Sequence, residues 1–239
     1  MSSLGRYHDN LTIHEELVVV FTDRLGPEHP DTLGSRSNLA VAYRSVGRTD
    51  EAINLHEETL KIRERLLGPE HSDTLISRNN LAAAYQDAGR TDEAIEAHEK
   101  TLEIRERLLG PEHPDTLGSR NNLAAAYQDA GRTDEAIEAH KKTLEIQERV
   151  LGPEHPDTLM SRNNLAAAYQ DAGRTDQAIE AHEKTLEIQE RVLSPEHSHP
   201  LITLKNLADA YHATNRASDA DRLEQGWRPW HDDSTDNAD

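Results

Sequence analysis

Cysteine is absent from this 239-residue chain, phenylalanine occurs once, and aromatic residues make up only 4% of it. Without cysteine there is no disulfide framework, no thiolate nucleophile and no zinc–thiolate site. Positive charge is also scarce: 26 Lys+Arg stand against 45 Asp+Glu, a formal net charge of −19. That balance argues against a nucleic-acid surface, whose affinity rests on clustered Lys and Arg against phosphate. No run of 18 apolar residues occurs, and Met1–Arg6 opens no apolar signal segment. Export and membrane spanning are therefore not expected, and a cytoplasmic location is. Apolar residues reach only 35%, a composition that alone would read as disordered. Internal repetition overturns that reading.

Aligned on itself, the chain repeats with a shift of 42. Arg78–Leu109 differs from Arg120–Leu151 only at Glu99/Lys141, Arg105/Gln147 and Leu108/Val150. Arg162–Leu193 is an equally close copy, and Arg36–Leu67 a looser one. Four full repeats run over 31–198. Residues 1–30 read as the second half of a repeat, because Gly5 and Gly26 lie 42 before Gly47 and Gly68. Residues 199–230 read as a degenerate last repeat with a cap supplied by Trp227 and Trp230, and 231–239 as a disordered acidic tail.

Each repeat carries the punctuation of two helices. Leu75, Leu81, Ala84, Tyr85 and Ala88 recur at helical spacing after Asp73-Thr74. Gly89 suits the left-handed position past a helix end. Thr91-Asp92-Glu93 then supplies an acceptor side chain and two carboxylates for a second helix start. Gly110-Pro111 ends that helix, and Pro114 suits the first position of the next. Nothing reads as a strand. The prediction is an all-α α-solenoid of antiparallel helix pairs, in which small residues such as Ala82 and Ala94 let helices approach and stacking between repeats supplies the stability.

Leu81-Ala82-x-x-Tyr85 followed by Ala94, recurring as Leu39/Ala40/Tyr43/Ala52, Leu123/Ala124/Tyr127/Ala136 and Leu165/Ala166/Tyr169/Ala178, resembles the tetratricopeptide repeat (TPR) signature. The usual period is about 34; the eight extra residues lengthen the second helix through Glu-Ile-Arg-Glu-Arg-Leu-Leu. With the Asn-Asn-Leu-Ala and Leu-Gly-Pro-Glu-His-Pro-Asp strings, the chain resembles the 42-residue class found in kinesin light chains. The resemblance implies a right-handed superhelix whose first helices line a concave groove for peptides or partner helices.

Carried over by position, the groove-facing Asn of the family falls on Asn38, Asn80, Asn122, Asn164 and Asn206, flanked by Asn79, Asn121 and Asn163, with Gln86, Gln128 and Gln170 farther along. A carboxamide can pair with both the N–H and the C=O of an extended backbone, so a ladder of them would hold a segment in register. The chain departs from the carboxylate clamp of chaperone-binding TPRs, because only Lys205 and Arg44 would face the groove. Asp87, Asp129 and Asp171 add negative charge there, so the expected protein or peptide partner is neutral or basic. Screening beyond roughly 8 Å makes that charge a matter of association rate more than affinity.

Ten of the fourteen histidines form two ladders. His14, His56, His98, His140 and His182 fall inside second helices, where packing is expected; His29, His71, His113, His155 and His197 fall in loops, where capping is expected. Helices pack about 8–10 Å apart, too far for one ladder to share an ion at ~2.1 Å, so neither metal nor cofactor is expected. Arg36, Arg78, Arg120 and Arg162 are expected to form ion pairs between repeats. No phosphate loop and no Ser/His/Asp set occurs, so the expected role is a non-enzymatic interaction scaffold.

The alternative is a self-associating structural repeat protein. In the first helix Val19 and Phe21 stand where later repeats carry Lys61 and Arg63, and Leu11, Ile13, Leu17, Val18 and Val20 widen the apolar face. An uncapped solenoid end of this kind predicts a docking surface or a homodimer. Arg outnumbers Lys 20 to 6, which associates with a GC-rich bacterial source.

Overall fold

The computed structural model describes residues 3–192 and 198–227. The described residues form eleven α-helices and no strand. They run α1 (Ser3–Leu25), α2 (Pro30–Ser45), α3 (Thr49–Leu67), α4 (Ser72–Asp87), α5 (Thr91–Leu109), α6 (Pro114–Asp129), α7 (Thr133–Val150), α8 (Pro156–Asp171), α9 (Thr175–Val192), α10 (Ser198–Ala213) and α11 (Ala217–Trp227). The chain divides into two compact units, 1–130 with α1–α6 and 131–239 with α7–α11. In the first unit each helix packs on its neighbours in sequence, and the first helices α2, α4 and α6 also touch in succession. The second unit repeats this from α7 to α11, with α8 against α10. The all-α solenoid of helix pairs is therefore the observed fold.

Helix boundaries follow from local chemistry. His29, His71, His113 and His155 cap α2, α4, α6 and α8, each Nδ1 accepting the backbone N–H two residues on at 3.2 Å. The loop ladder thus satisfies one otherwise orphaned donor per helix, and Pro30, Pro114 and Pro156 open their helices. Gly89 takes φ +70° after the end of α4, and Gly110 takes φ +87° after α5. The second helices differ from expectation. Thr91 is the first helical residue of α5, Arg90 occupies the cap position, and no side chain caps it. Arg90 instead bonds Glu93 through Nε at 2.7 Å and lies over the Tyr85 ring at 4.4 Å.

The core is a series of small clusters, each joining a second helix to the next repeat's first helix. Leu11 meets Leu39 and Ala42, Ile53 meets Leu81 and Ala84, and Ile95 meets Leu123 and Ala126. In the second unit Ile137 meets Leu165 and Ala168, and Ile179 meets Leu207 and Ala210. Ala82, Ala94, Ala124 and Ala136 are fully buried, as close helix approach requires. Burial of these stripes at about 25 cal/mol per Å² is available only between repeats, so a lone hairpin would leave it unrealised.

Polar side chains tie the same seams. Tyr85 donates to Glu57 at 2.7 Å, Tyr127 to Glu99 at 2.8 Å, and Tyr211 to Glu183 at 2.6 Å. Arg78, Arg120 and Arg162 are buried and pair with Glu64, Glu106 and Glu148 of the preceding second helix. Arg36 departs from this rule and pairs with Glu58 inside its own repeat. The cause is visible in the sequence, since the residue 42 before Glu64 is Thr22, which offers no carboxylate.

His56, His98, His140 and His182 are buried in the seams, at 0–2% exposure. Burial lowers each imidazole from 6.5 to about 4, helped at His56 by the charges of Arg44 and Arg63. The acidic tail at 231–239, His197 and Trp230 lie outside the described residues, and the side chain of Trp227 likewise.

Candidate functional site: the wall of first helices

The site predicted by position lies on the first helices. Asn38 is exposed on α2; Asn80 and Asn122 are half-buried on α4 and α6. In the second unit Asn164 and Asn206 are half-buried on α8 and α10. Asn79, Asn121 and Asn163, one residue earlier on their helices, are half-buried too. Residues three, four and seven apart share one helix face, which puts Ile76, Asn80, Ala83 and Asp87 along a single stripe of α4.

Contacts along this wall run from one repeat to the next. Asn122 Nδ2 donates to Asn79 Oδ1 at 2.8 Å. Gln86 Nε2 donates to Asp129 Oδ2 at 2.7 Å, and its Oε1 lies 3.1 Å from His98 Nε2. Arg44 Nε donates to Asp87 Oδ2 at 2.6 Å. The one cation expected to face a ligand in this unit is thus bound to the neighbouring rung. In the second unit Asn163 Nδ2 donates to Thr203 Oγ1 at 3.0 Å and its Oδ1 lies 3.2 Å from His182 Nδ1. Gln170 Nε2 donates to the Asn206 carbonyl at 3.3 Å. Gln128 is half-buried and engaged in a polar contact of its own. Asn121 Oδ1 is buried without a hydrogen-bond partner.

Between α2, α4 and α6 the wall opens into a recess of ≈ 480 Å³, lined by Arg44, Ala83, Gln86, Asp87, Gly89, Thr91 and Asp129. Its electrostatics are uneven. The Arg44 guanidinium neutralises Asp87, whereas Asp129 accepts from a Gln amide that carries no charge. The recess therefore presents amide and carboxylate groups with a residual negative charge, suited to hydrogen bonding and to a cation. Among the described residues no group of three or more His, Asp or Glu is placed to hold a metal ion.

Positional reasoning located the amides but missed two features. The pairing of rungs 43 residues apart needs the stacking geometry, which no single repeat encodes. The second feature, Ile76 on the same stripe at 47% exposure, had a sequence signal: past the opening residue of the first helix, where Ser72 replaces Pro114 and Pro156, it is the one position at which the three near-identical repeats differ.

The comparisons agree with this architecture. The sequence profile described as tetratricopeptide repeat matches residues 2–65, 34–107, 73–148, 116–190 and 160–225. A putative kinesin light chain of Podosopora anserina with nearly identical TPR-like repeats is 36% identical, covering 88% of this chain and 100% of that one, at a TM-score of 0.76. BtubC (BKLC) from P. vanneervenii is 22% identical over 100% of this chain and 95% of its own, at 0.77. RapI in its apo form is 17% identical over 85% of this chain and 72% of its own, at 0.67. The last two share the fold. No curated protein matches the chain. No helix among the described residues is long and apolar enough to cross a membrane. Repeats of this kind build protein-interaction or structural scaffolds. The chain belongs to the tetratricopeptide repeat family, in its kinesin-light-chain-like class.

Proposed function

We propose that this chain is a non-enzymatic scaffold that holds an extended peptide or a partner helix on its wall of first helices. The observation that carries the reading is the run of half-buried carboxamides, Asn79, Asn80, Gln86 and Asn122 in the first unit and Asn163, Asn164, Asn206 and Gln170 in the second. Asn is a poor helix former, and its recurrence at one site per repeat adds nothing to the apolar seams. An amide pairs with backbone N–H and C=O irrespective of ligand sequence, so the wall supplies affinity and the neighbouring side chains supply choice. The formal charge of −19 and the carboxylate of Asp129 favour a neutral or basic partner. Such capture needs neither metal nor cofactor.

Affinity capture with the native chain and with an Asn122→Ala/Asn164→Ala double variant tests this. Partners retained equally by both reject the amide wall as the binding element.

A second reading, self-association through α1, rests on its outer face. Ile13, Val19 and Val20 are 54%, 67% and 41% exposed, and Phe21 is half-buried beside them. The buried Thr59, Thr101 and Thr143 of later second helices each correspond to Leu17, which is 37% exposed, with no first helix packed over it among the described residues. A second copy would bury that face. Light scattering on the native chain and on Val19→Glu decides; a monomer in both cases removes the reading.

A further inference from the structure

Near-identical repeats pose a problem for any ligand that lies along them. If every rung offers the same contacts, a bound segment can shift by one repeat at no cost in free energy, and binding has no defined register. The Arg78–Asp87, Arg120–Asp129 and Arg162–Asp171 stretches are identical, residue for residue. Two positions earlier they cease to match: Ile76, Gly118 and Met160 stand at one repeat position, with Gly34 and Ile202 in the outer copies.

A lone exposed isoleucine is ordinary on a protein surface. Two observations set this position apart. First, neither of its occupants serves the fold. Gly118 lies inside α6 with helical backbone, and a Cβ built there meets nothing within 4 Å, as at Gly34 in α2. A helix interior glycine costs about 1 kcal/mol relative to alanine, and nothing in the structure requires that glycine. Ile76, Met160 and Ile202 instead expose 47%, 49% and 57% of their surface. Second, the position lies on the amide stripe, one turn before Asn80 and three turns before Asp87. Local choices that oppose the fold mark function.

We infer that this position fixes the register of a bound segment: in the first unit, a large apolar side chain of the partner seats over Gly118 against Ile76, and a basic residue meets Asp129. Gly118 removes the side chain that would block the seat, and Ile76 on the adjoining α4 supplies apolar contact. Shifting the segment back by one repeat would set its apolar residue on Ile76 with bare Gly34 beside it, which is a different and poorer surface. The partner's basic residue follows from charge, since the Asp129 bond to Gln86 brings no positive charge whereas Asp87 already holds Arg44. Gly118 and Asp129 lie eleven residues apart on one helix face, about 16 Å at 1.5 Å per residue, or roughly five residues of extended chain. This inference rests on the peptide-holding role proposed above and adds the chemistry of the ligand: one bulky apolar anchor and a Lys or Arg about five residues from it.

The test uses the full chain and a displayed library of random twelve-residue peptides. The native chain should enrich peptides with that spacing. A synthetic consensus peptide should then bind the Ile76→Gly/Gly118→Ile exchange at least tenfold more weakly, as loss of one buried isoleucine contact predicts. A second variant, Gly118→Met, places there the residue that α8 carries at this position and keeps the test valid if the exchange fails to fold. Equal affinity for the native chain and either folded variant overturns the register device. Loss of the peptide in Asn122→Ala/Asn164→Ala without loss in these variants would leave the amide wall standing and the register inference refuted. No enrichment over an unrelated protein would refute both.

Discussion

Asn122 and Asn79 lie 43 positions apart and meet across two first helices, Nδ2 of the one donating to Oδ1 of the other at 2.8 Å. The amide wall is therefore self-braced, and in the proposed role a ligand would take up the lone pairs and protons that this bond leaves over. Removing either partner should destabilise the first unit by about 0.5–1.5 kcal/mol. In a double-mutant cycle of Asn79→Ala and Asn122→Ala, monitored by urea unfolding, the two losses should not add, because both break the same bond. Strict additivity would show that the amides act on their own helices only.

Acid should loosen the molecule through its buried histidines. His56, His98, His140 and His182 are held near 4 by burial while their unfolded value is 6.5. With the folded value depressed, the unfolded chain takes up protons first as pH falls. Stability is thus full above about 6.5 and declines between 6.5 and 4, by up to ~1.4 kcal/mol per pH unit for each ring. Glu51, Glu93 and Glu135 do not mask this slope, since hydrogen bonds from Arg48, Arg90 and Arg132 hold them below the usual carboxylate range and they lose their pairs only at lower pH. Thermal melts from pH 7.5 to 5 check it; His98→Leu should show a shallower decline than the native chain, and identical slopes would refute the assignment.

Much of this was legible without coordinates, for a physical reason: the repeat writes each local decision four times. Leu81, Tyr85, Ala94 and Gly89 define two helices and a turn in every copy, and the two histidine ladders separate by their place within the period. What the period hides is anything that depends on the neighbour. Arg36 shows this, because its partner is decided by Thr22 in the preceding half-repeat rather than by its own surroundings. Arg44 shows it again: read alone it is a free groove cation, but stacked it belongs to Asp87. The capping role of Thr91 failed on a competition between neighbours, with Arg90 drawn to Glu93 and the Tyr85 ring.

The buried arginines make an asymmetric prediction. The Arg120 side chain is 3% exposed and Glu106 is 37% exposed, and Arg120 Nη1 has no hydrogen-bond partner. Glu106→Ala would leave a buried guanidinium without its counter-charge and should cost about 2–4 kcal/mol. Arg120→Met removes the charge, keeps the stem that covers apolar surface, and leaves a carboxylate that water can reach, so it should cost less than half as much. Denaturant unfolding of the two variants checks the order, and a reversal would mean that Arg120 contributes chiefly by packing.

Glycine gives the sharpest separation between folding and binding. Gly89 sits at φ +70°, where a side chain is strained, so Gly89→Ala should destabilise by about 1 kcal/mol or more. Gly118 has ordinary helical backbone and open space where its Cβ would be, so Gly118→Ala should stabilise by about 0.5–1 kcal/mol through the unfolded chain's lost freedom. The first change tests the turn and the second tests why a stabilising residue is absent from an otherwise repeated helix. If Gly118→Ala lowers the melting temperature, the glycine serves the fold after all, and its place in the wall needs no ligand to explain it.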